Sequence, residues 1–208
     1  MDGSEERKTL PQRRREETYR QILEAAYQVF ARRGYEAATV DEIAAECGIS
    51  KGALYHHFPS KEELFATLIR ARYERPARRA VAAWPAEPSF DLVQLAGAGL
   101  RAVWDNVRRD PTWYRLLDEA RVQAGRNETI AEIMAATQRW NYETAAKIFR
   151  QGQERGNVRR DLDVESIAVV MTAILDGAVS AYLVNEHAFD VERFLDAAVD
   201  AIVRMLRP

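Results

Sequence analysis

Residues 39–61 read TVDEIAAECGISKGALYHHFPSK, and their punctuation spells two short helices joined by a tight turn. Thr39 has the side chain of a helix N-cap, and Glu42 three residues on completes a capping box. Val40, Ile43, Ala44 and Cys47 recur at helical spacing and give the first helix one apolar face. Gly48 ends it, because glycine takes the left-handed conformation of a helix end at little cost. Ile49 reads as an apolar plug in the turn. Ser50 caps the second helix, whose exposed start carries Lys51, Gly52 and Ala53. A short helix that is small at its N-terminus is shaped to enter a DNA major groove. A glycine-turned helix pair serves equally well as a plain packing hairpin.

The residues that follow separate these readings. Leu54 and Phe58 form a hydrophobic plug alternating with Tyr55 and His56, and Pro59-Ser60-Lys61-Glu62-Glu63-Leu64 opens another capped helix. Together these residues resemble the DNA-binding domain of the TetR family of bacterial transcriptional regulators. That family shows a threonine opening the second helix, an IA..AG(V/I)S turn, a K-G-x-L-Y-x-H-F recognition helix and a following S-K-E-E-L. The matching residues are Thr39, Ile43-Ala44, Gly48-Ile49-Ser50, Lys51-Gly52, Leu54-Tyr55, His57-Phe58 and Ser60-Lys61-Glu62-Glu63-Leu64. Cys47 departs from the more usual alanine. The resemblance covers about the first third of the chain.

The resemblance implies a sequence-specific DNA-binding transcriptional regulator. By the same resemblance it is expected to act as a homodimeric repressor on a palindromic double-stranded operator and to be released by a small-molecule effector. Thr39, Tyr55 and Lys61 are expected on phosphates, helped by amides at helix N-termini. Ser50, Lys51, Ala53 and His56 lie where bases can be reached, Gly52 allows close backbone approach, and Leu54 and Phe58 hold the recognition helix in the core. Two alternatives stand beside this: an effector-insensitive or activating regulator of the same fold, and a helical module that binds a protein. Steep loss of affinity with salt marks phosphate contact and separates the last from the others.

Net charge does not advertise nucleic acid. The 208-residue chain carries a formal −2, and its first sixty residues hold 9 Lys/Arg against 10 Asp/Glu. Only the surface facing the phosphates must be positive, and Arg13-Arg14-Arg15, Lys51 and Lys61 supply local cations. With 47% hydrophobic residues the chain can build a sizeable core. No run of about 18 apolar residues is expected to span a membrane, the polar N-terminus does not read as a secretory signal, and a single cysteine suits a reducing cytoplasm.

Periodicity predicts an all-α protein of about nine helices. A first helix over residues 14–33 carries Tyr19, Ile22, Leu23, Ala26, Val29 and Phe30 on one stripe and stops at Gly34. A fourth runs from Ser60 to about Tyr73 and is expected to end or kink at Pro76. Arg70, Arg72, Arg75, Arg78 and Arg79 near that break read as a solvated, partly ion-paired surface. A loop covers residues 84–90, followed by helices over 91–108, 111–121, 128–155, 164–184 and 191–206. Asp110 with Pro111, Asn127, Asp163 and Asp190 mark N-termini, and Gly156 a C-terminus. The expected division is a disordered arm over residues 1–12, a three-helix helix-turn-helix domain over 13–60, and an effector-binding and dimerisation body over 61–208.

The last two helices carry wide apolar stripes that bury against their own body and, by the resemblance, pair across a two-fold axis. Ile174, Ala178, Tyr182, Phe194, Ala198 and Ile202 are the expected interface. In the middle, Trp104, Trp113, Tyr114, Leu117, Met134, Trp140, Tyr142, Met171 and Tyr182 are candidate pocket lining, or ordinary core at the same spacing. Asp118, Glu119, Glu143 and Asp176 are candidate partners for a cationic effector, or surface groups. Cys47 reads as a small hydrophobe. His56 and His57 diverge on a helix, and no zinc spacing, nucleophile elbow or phosphate-cradling loop is present, so neither metal, cofactor nor enzyme activity is expected.

Overall fold

The caps read from the sequence close as hydrogen bonds and set the ends of the first helices. The structure, a computed structural model, describes residues 10–82 and 92–208. Its elements are α1 (Leu10–Ala37), α2 (Val40–Cys47), α3 (Lys51–His57), α4 (Lys61–Ala82), α5 (Leu92–Arg109), α6 (Pro111–Ala124), α7 (Glu128–Glu154), α8 (Val164–Val184) and α9 (Val191–Leu206). The chain is all-α among the described residues. Thr39 Oγ1 accepts from the Glu42 amide at 3.2 Å while Glu42 accepts from the Thr39 amide at 2.9 Å, completing the capping box. Gly48 takes φ 73°, ψ 27° at the end of α2. Ser50 and Ser60 cap α3 and α4 through the Ala53 and Glu63 amides. Asp110, Asn127 and Asp190 do the same for α6, α7 and α9. Asp163 precedes α8 without capping it, because its carboxylate accepts from the Ser166 hydroxyl instead.

Three expectations need correction. α1 begins at Leu10, earlier than expected; Pro11 falls in its first turn, where a missing amide costs no helical hydrogen bond. α4 does not end at Pro76 but continues to Ala82. It lies along α7, and that packing outweighs the local penalty of one proline. α8 contradicts the absence of a long apolar segment: its 21 residues include a window of mean hydropathy 2.0, long and apolar enough by length and composition to cross a membrane. Two acids, Glu165 and Asp176, interrupt it, which is why no unbroken apolar run is visible in the sequence. The loop expected over 84–90, the side chains of Arg75, Arg78 and Arg79, and residues 1–9 of the expected arm fall outside the described residues.

One core joins the N-terminal helices to the rest. Phe30, Leu54, Phe58, Phe65 and Leu68 share it with Trp113, Leu116, Leu117 and Ala120 of α6. Burying each large side chain contributes roughly 1.5–3 kcal/mol, and Phe30, Tyr35 and Phe65 add ring contacts at 4.6–6.0 Å. A second core gathers α5, α8 and α9 around the fully buried Trp104, with Tyr182, Phe189 and Phe194 set at steep angles to its ring.

Gly34 breaks α1 at φ 73°, ψ 169°, a region essentially reserved for glycine. A Cβ there would also lie 3.2 Å from Glu119 Oε1, the atom that accepts from the Tyr35 amide at 2.7 Å. Gly34→Ala should therefore cost about 1–3 kcal/mol in urea unfolding; an unchanged midpoint would mean that the break relaxes freely.

Candidate nucleic-acid interface

The helix pair α2–α3 is held from behind and open in front. Leu54 and Phe58 are 0% and 2% exposed, and Phe58 stacks on Tyr19 at 5.1 Å. This leaves Thr39, Ser50, Lys51, Gly52, Ala53, Tyr55 and His56 exposed together. Their spacing explains the split: Leu54 and Phe58 share one helical face while Lys51, Tyr55 and neighbouring small residues take the other. Gly52 has open space around the position a Cβ would occupy, so its smallness serves approach from outside rather than internal packing.

Some of the polar groups on this face already have partners. Ser50 Oγ accepts its cap bond from Ala53 at 3.2 Å. Lys51 Nζ donates to Asp41 Oδ2 on α2 at 2.9 Å, and this pair is largely exposed, so competition by another anion costs little. Lys61 is placed differently from its neighbours. Its ammonium, 4.5 Å over the Tyr35 ring, donates to the Tyr35, Glu36 and Ala38 carbonyls at 2.8, 3.2 and 3.1 Å. It thereby closes the end of α1, with all three of its donors engaged. His57 is half-buried, and burial, then His56 and Arg15, lower its pKa, which favours the neutral ring. Cys47 is half-buried and burial pushes its thiol up, so it lacks the low pKa of a reactive cysteine.

Behind this face lies a junction that charge patterning did not single out. Arg72 of α4, expected on a solvated surface, is only 29% exposed. Its guanidinium lies 3.6 Å over the Tyr27 ring and 5.2 Å from the Trp113 ring, and it donates to Asp110 Oδ2 at 2.6 Å. Asp110 Oδ1 accepts from the Tyr27 hydroxyl at 2.5 Å and from the Trp113 amide at 3.1 Å. Burial first, and then the Asp110 hydrogen bond, drive the Tyr27 phenol well above its ordinary pKa. Thus α1, α4 and the first turn of α6 meet on one carboxylate. The signal visible in the sequence was Asp110-Pro111 as a cap; what it caps against required the fold. A second strap runs from Glu119 to the Tyr35 amide and from Gln123 to Glu36 at 2.7 Å.

The expected pocket residues do not converge on one cavity. Trp113 and Leu117 belong to the core shared with α1, with Met134 packed against it, whereas Trp104 and Tyr182 belong to the core of α5, α8 and α9. Tyr114 touches both, and Met171 packs beside Ile202 near Val158. Trp140 and Tyr142 are half-buried along α7. Of the candidate acids, Asp176 and Asp118 both pair with Arg121, at 2.8 and 2.5 Å. Burial raises the pKa of Asp176 while Arg121 opposes the rise. Glu119 is tied to Tyr35, and Glu143 is exposed. Among the described residues no group of three or more His, Cys, Asp or Glu could hold a metal ion.

The interface candidates also divide. Ile174 is 55% exposed, whereas Ile202 is buried and Tyr182, Phe194 and Ala178 pack into the chain's own core. Ala198 is half-buried. The exposed row on α8 is instead Val169, Val170, Ala173, Ile174, Gly177 and Ala181, with no charge among them.

Comparison with known proteins places this arrangement. Residues 22–68 match the family model described as bacterial regulatory proteins, tetR family. Residues 95–207 match that of the BetI-type transcriptional repressor C-terminal region. The HTH-type transcriptional activator FasR of Mycolicibacterium smegmatis is 30% identical over 189 residues, covering 89% of this chain and 81% of its own. The HTH-type transcriptional regulator TtgR of Pseudomonas putida is 27% identical, covering 90% and 92%. The solved structure of Salmonella enterica GusR superposes with a TM-score of 0.78 at 28% identity, covering 95% of this chain and 97% of that one.

The capping box makes its own pH-dependent contribution. Hydrogen bonds from the Thr39 amide, and then from its hydroxyl, hold the Glu42 carboxyl below its ordinary 4.5. A depressed folded-state value gives stability that is present above the unfolded value and lost as pH falls through the folded one. Glu42→Gln keeps a neutral capping box. Wild type should be the more stable near neutral pH, with the gap closing as pH drops below about 4.5. Urea unfolding across that range checks this; a gap independent of pH would show that the Glu42 charge contributes nothing.

Proposed function

The chain belongs to the TetR family of bacterial regulatory proteins, and we propose from that premise that it is a dimeric repressor released from a palindromic operator by a small-molecule effector. The observation that carries the proposal is the exposed row of Lys51, Gly52, Ala53, Tyr55 and His56 on a helix anchored by buried Leu54 and Phe58. A rigid helix with its small and polar face outward fits a major groove without rearranging the core. In this reading residues 13–60 are the DNA-binding domain and residues 61–208 the effector-binding and dimerisation body, acting in the cytoplasm.

Thr39 and Tyr55 contact phosphates, and Ser50, Lys51, Ala53 and His56 face bases. Lys61, held by three carbonyls, brings a positive charge toward the backbone of the DNA while it closes α1. Reading a base requires Lys51 to leave Asp41, an exchange made cheap by the exposure of both. The body supports a two-fold partner through the apolar row on α8. A contiguous exposed patch of this kind is uncommon on a monomer, and Ala173, Gly177 and Ala181 let a second copy approach closely. Two heads held about one DNA turn apart, roughly 34–36 Å, then read the two half-sites. Effector binding in the body acts on the heads through α6, whose first turn holds Tyr27 and Arg72 by Asp110. One observation favours a second reading, activation: a relative at 30% identity is named an activator.

Selection from a random duplex library at two salt concentrations should enrich a palindrome and show affinity falling steeply with salt; equal retention of all sequences would defeat the proposal. On the selected site, Tyr55→Phe should weaken binding about tenfold whatever the sequence. Lys51→Ala should lose about tenfold or more at one base position of each half-site. Ile174→Glu should convert the dimer to monomer in sedimentation at micromolar concentration, since it buries an unpaired charge; a variant that still sediments as a dimer would place the interface elsewhere.

A further inference from the structure

A cleft of about 530 Å³ opens where the ends of α5, α6 and α8 meet. Val107, Tyr182 and Leu183 give it an apolar floor that is continuous with the Trp104 core. Its two arginines are poorly matched by acids. Arg108 reaches Glu192 only at 3.4 Å, and that carboxylate is already engaged by Arg101 at 2.9 Å. Arg115 has a backbone carbonyl, Leu183 O, at 3.5 Å. Glu186 also lines the cleft; it is strongly exposed and stands 3.8 Å from His187, so solvent screens its charge from the arginines. Underneath, the Trp104 indole N–H is fully buried with no hydrogen-bond partner, an arrangement that is costly for a polar group. Tyr182 links the two levels, lining the cleft and packing edge-on to Trp104 at 5.2 Å.

We propose that this cleft binds an amphipathic anion, with a carboxylate or sulfonate head held by Arg108 and Arg115 and an aliphatic or aromatic body laid on Val107, Tyr182 and Leu183. Two under-compensated guanidiniums above an apolar floor select this class over cations, which the arginines repel, and over bare inorganic anions, which leave the floor uncovered. The cleft also has a route to the DNA-binding face. Pro111 lines it and is the first residue of α6, directly after Asp110, the cap that holds Tyr27 and Arg72. An occupant therefore presses on the turn at which α1 and α4 are fastened. As an effector site the cleft rests on the regulatory reading above; as a binding site it does not.

Sodium bromodecanoate tests this directly, because bromine quenches tryptophan fluorescence only near contact. Titrated into the full-length wild-type protein without DNA, it should quench in a saturable way, and Trp104→Phe should remove most of the quenching. Arg108→Ala and Arg115→Ala should each weaken binding about tenfold, with Arg→Lys at both positions recovering part of it. Bromodecanol and inorganic phosphate at equal concentration should give no saturation. Unchanged affinity in the double alanine variant, shown folded by circular dichroism, would overturn the proposal, as would quenching that survives Trp104→Phe. The operator assay is read separately. Bromodecanoate that binds without weakening operator affinity leaves an anion site and removes its role as effector site, and failure to bind any operator would defeat the regulatory reading alone.

Discussion

The guanidinium of Arg72 is the point on which the DNA-binding helices and the body meet. It is a cation laid between the rings of Tyr27 and Trp113 and pinned by Asp110. Its sidedness matters as much as its strength: Tyr27 belongs to α1, Arg72 to α4, and Asp110 with Trp113 to the start of α6. Asp110 also caps α6 through the Trp113 amide, so the carboxylate that fixes the direction of α6 is the one that fixes the head. Removing either charge would leave the other part-buried without its main partner, which is costlier than never having built the pair. The cap of α6 and the seat of the head thus share one group.

The rest of the junction follows the same logic. Glu119 and Gln123 of α6 reach back to Tyr35 and Glu36 at the broken end of α1, and Lys61 closes that end from the other side. Between these straps Trp113, Leu116, Leu117 and Ala120 sit in the same core as Phe30 and Leu54. A tightly packed core does not bend smoothly, so in the proposed mechanism a shift of α6 reaches α1 and α4 as a movement of the whole head. Tilting a recognition helix by this means requires no change within α2 or α3, whose capping box and glycine turn remain intact.

What the sequence disclosed and what it hid divide along physical lines. Thr39, Glu42, Ser50, Asp110, Asn127 and Asp190 act on amides a few residues away, and Gly48 donates its own amide to the last carbonyls of α2, so each is readable because its partner is local. Helical periodicity likewise gave α8 and α9 to the residue. Pro76 misled because a local penalty was weighed without the packing of α4 along α7. Arg72 misled because a charge cluster near a break looks the same whether its partner is water or an aspartate far along the chain. The candidate pocket rests on aromatic, methionine and leucine residues at core spacing, and spacing cannot say which of two cores each joins, so Trp113 and Trp104 part. The expected interface on α8 and α9 rests on their apolar residues. Those on the inner face are as apolar as those outside, and the exposed row is distinguished only by packing against α6 and α7 and the side chains of α5 and α9.

The modest charge of the chain then has a mechanical consequence. With net charge −2 and Lys51 already beside Asp41, one head gains little from the phosphates. Affinity for non-specific DNA scales with the number of neutralised phosphates, so a single head holds DNA less firmly than a pair. In the proposed dimer the second head raises affinity by effective concentration rather than by new contacts, a gain that reaches about 10²–10⁴ and disappears when geometry forbids simultaneous engagement. A strongly basic head would hold DNA by itself and resist release. In the proposed dimer a weakly charged one makes occupancy depend on the spacing between two heads, a spacing that α6 can alter through Asp110 and Arg72. Weakness at the DNA face and firmness at the junction are thus complementary requirements of one switch.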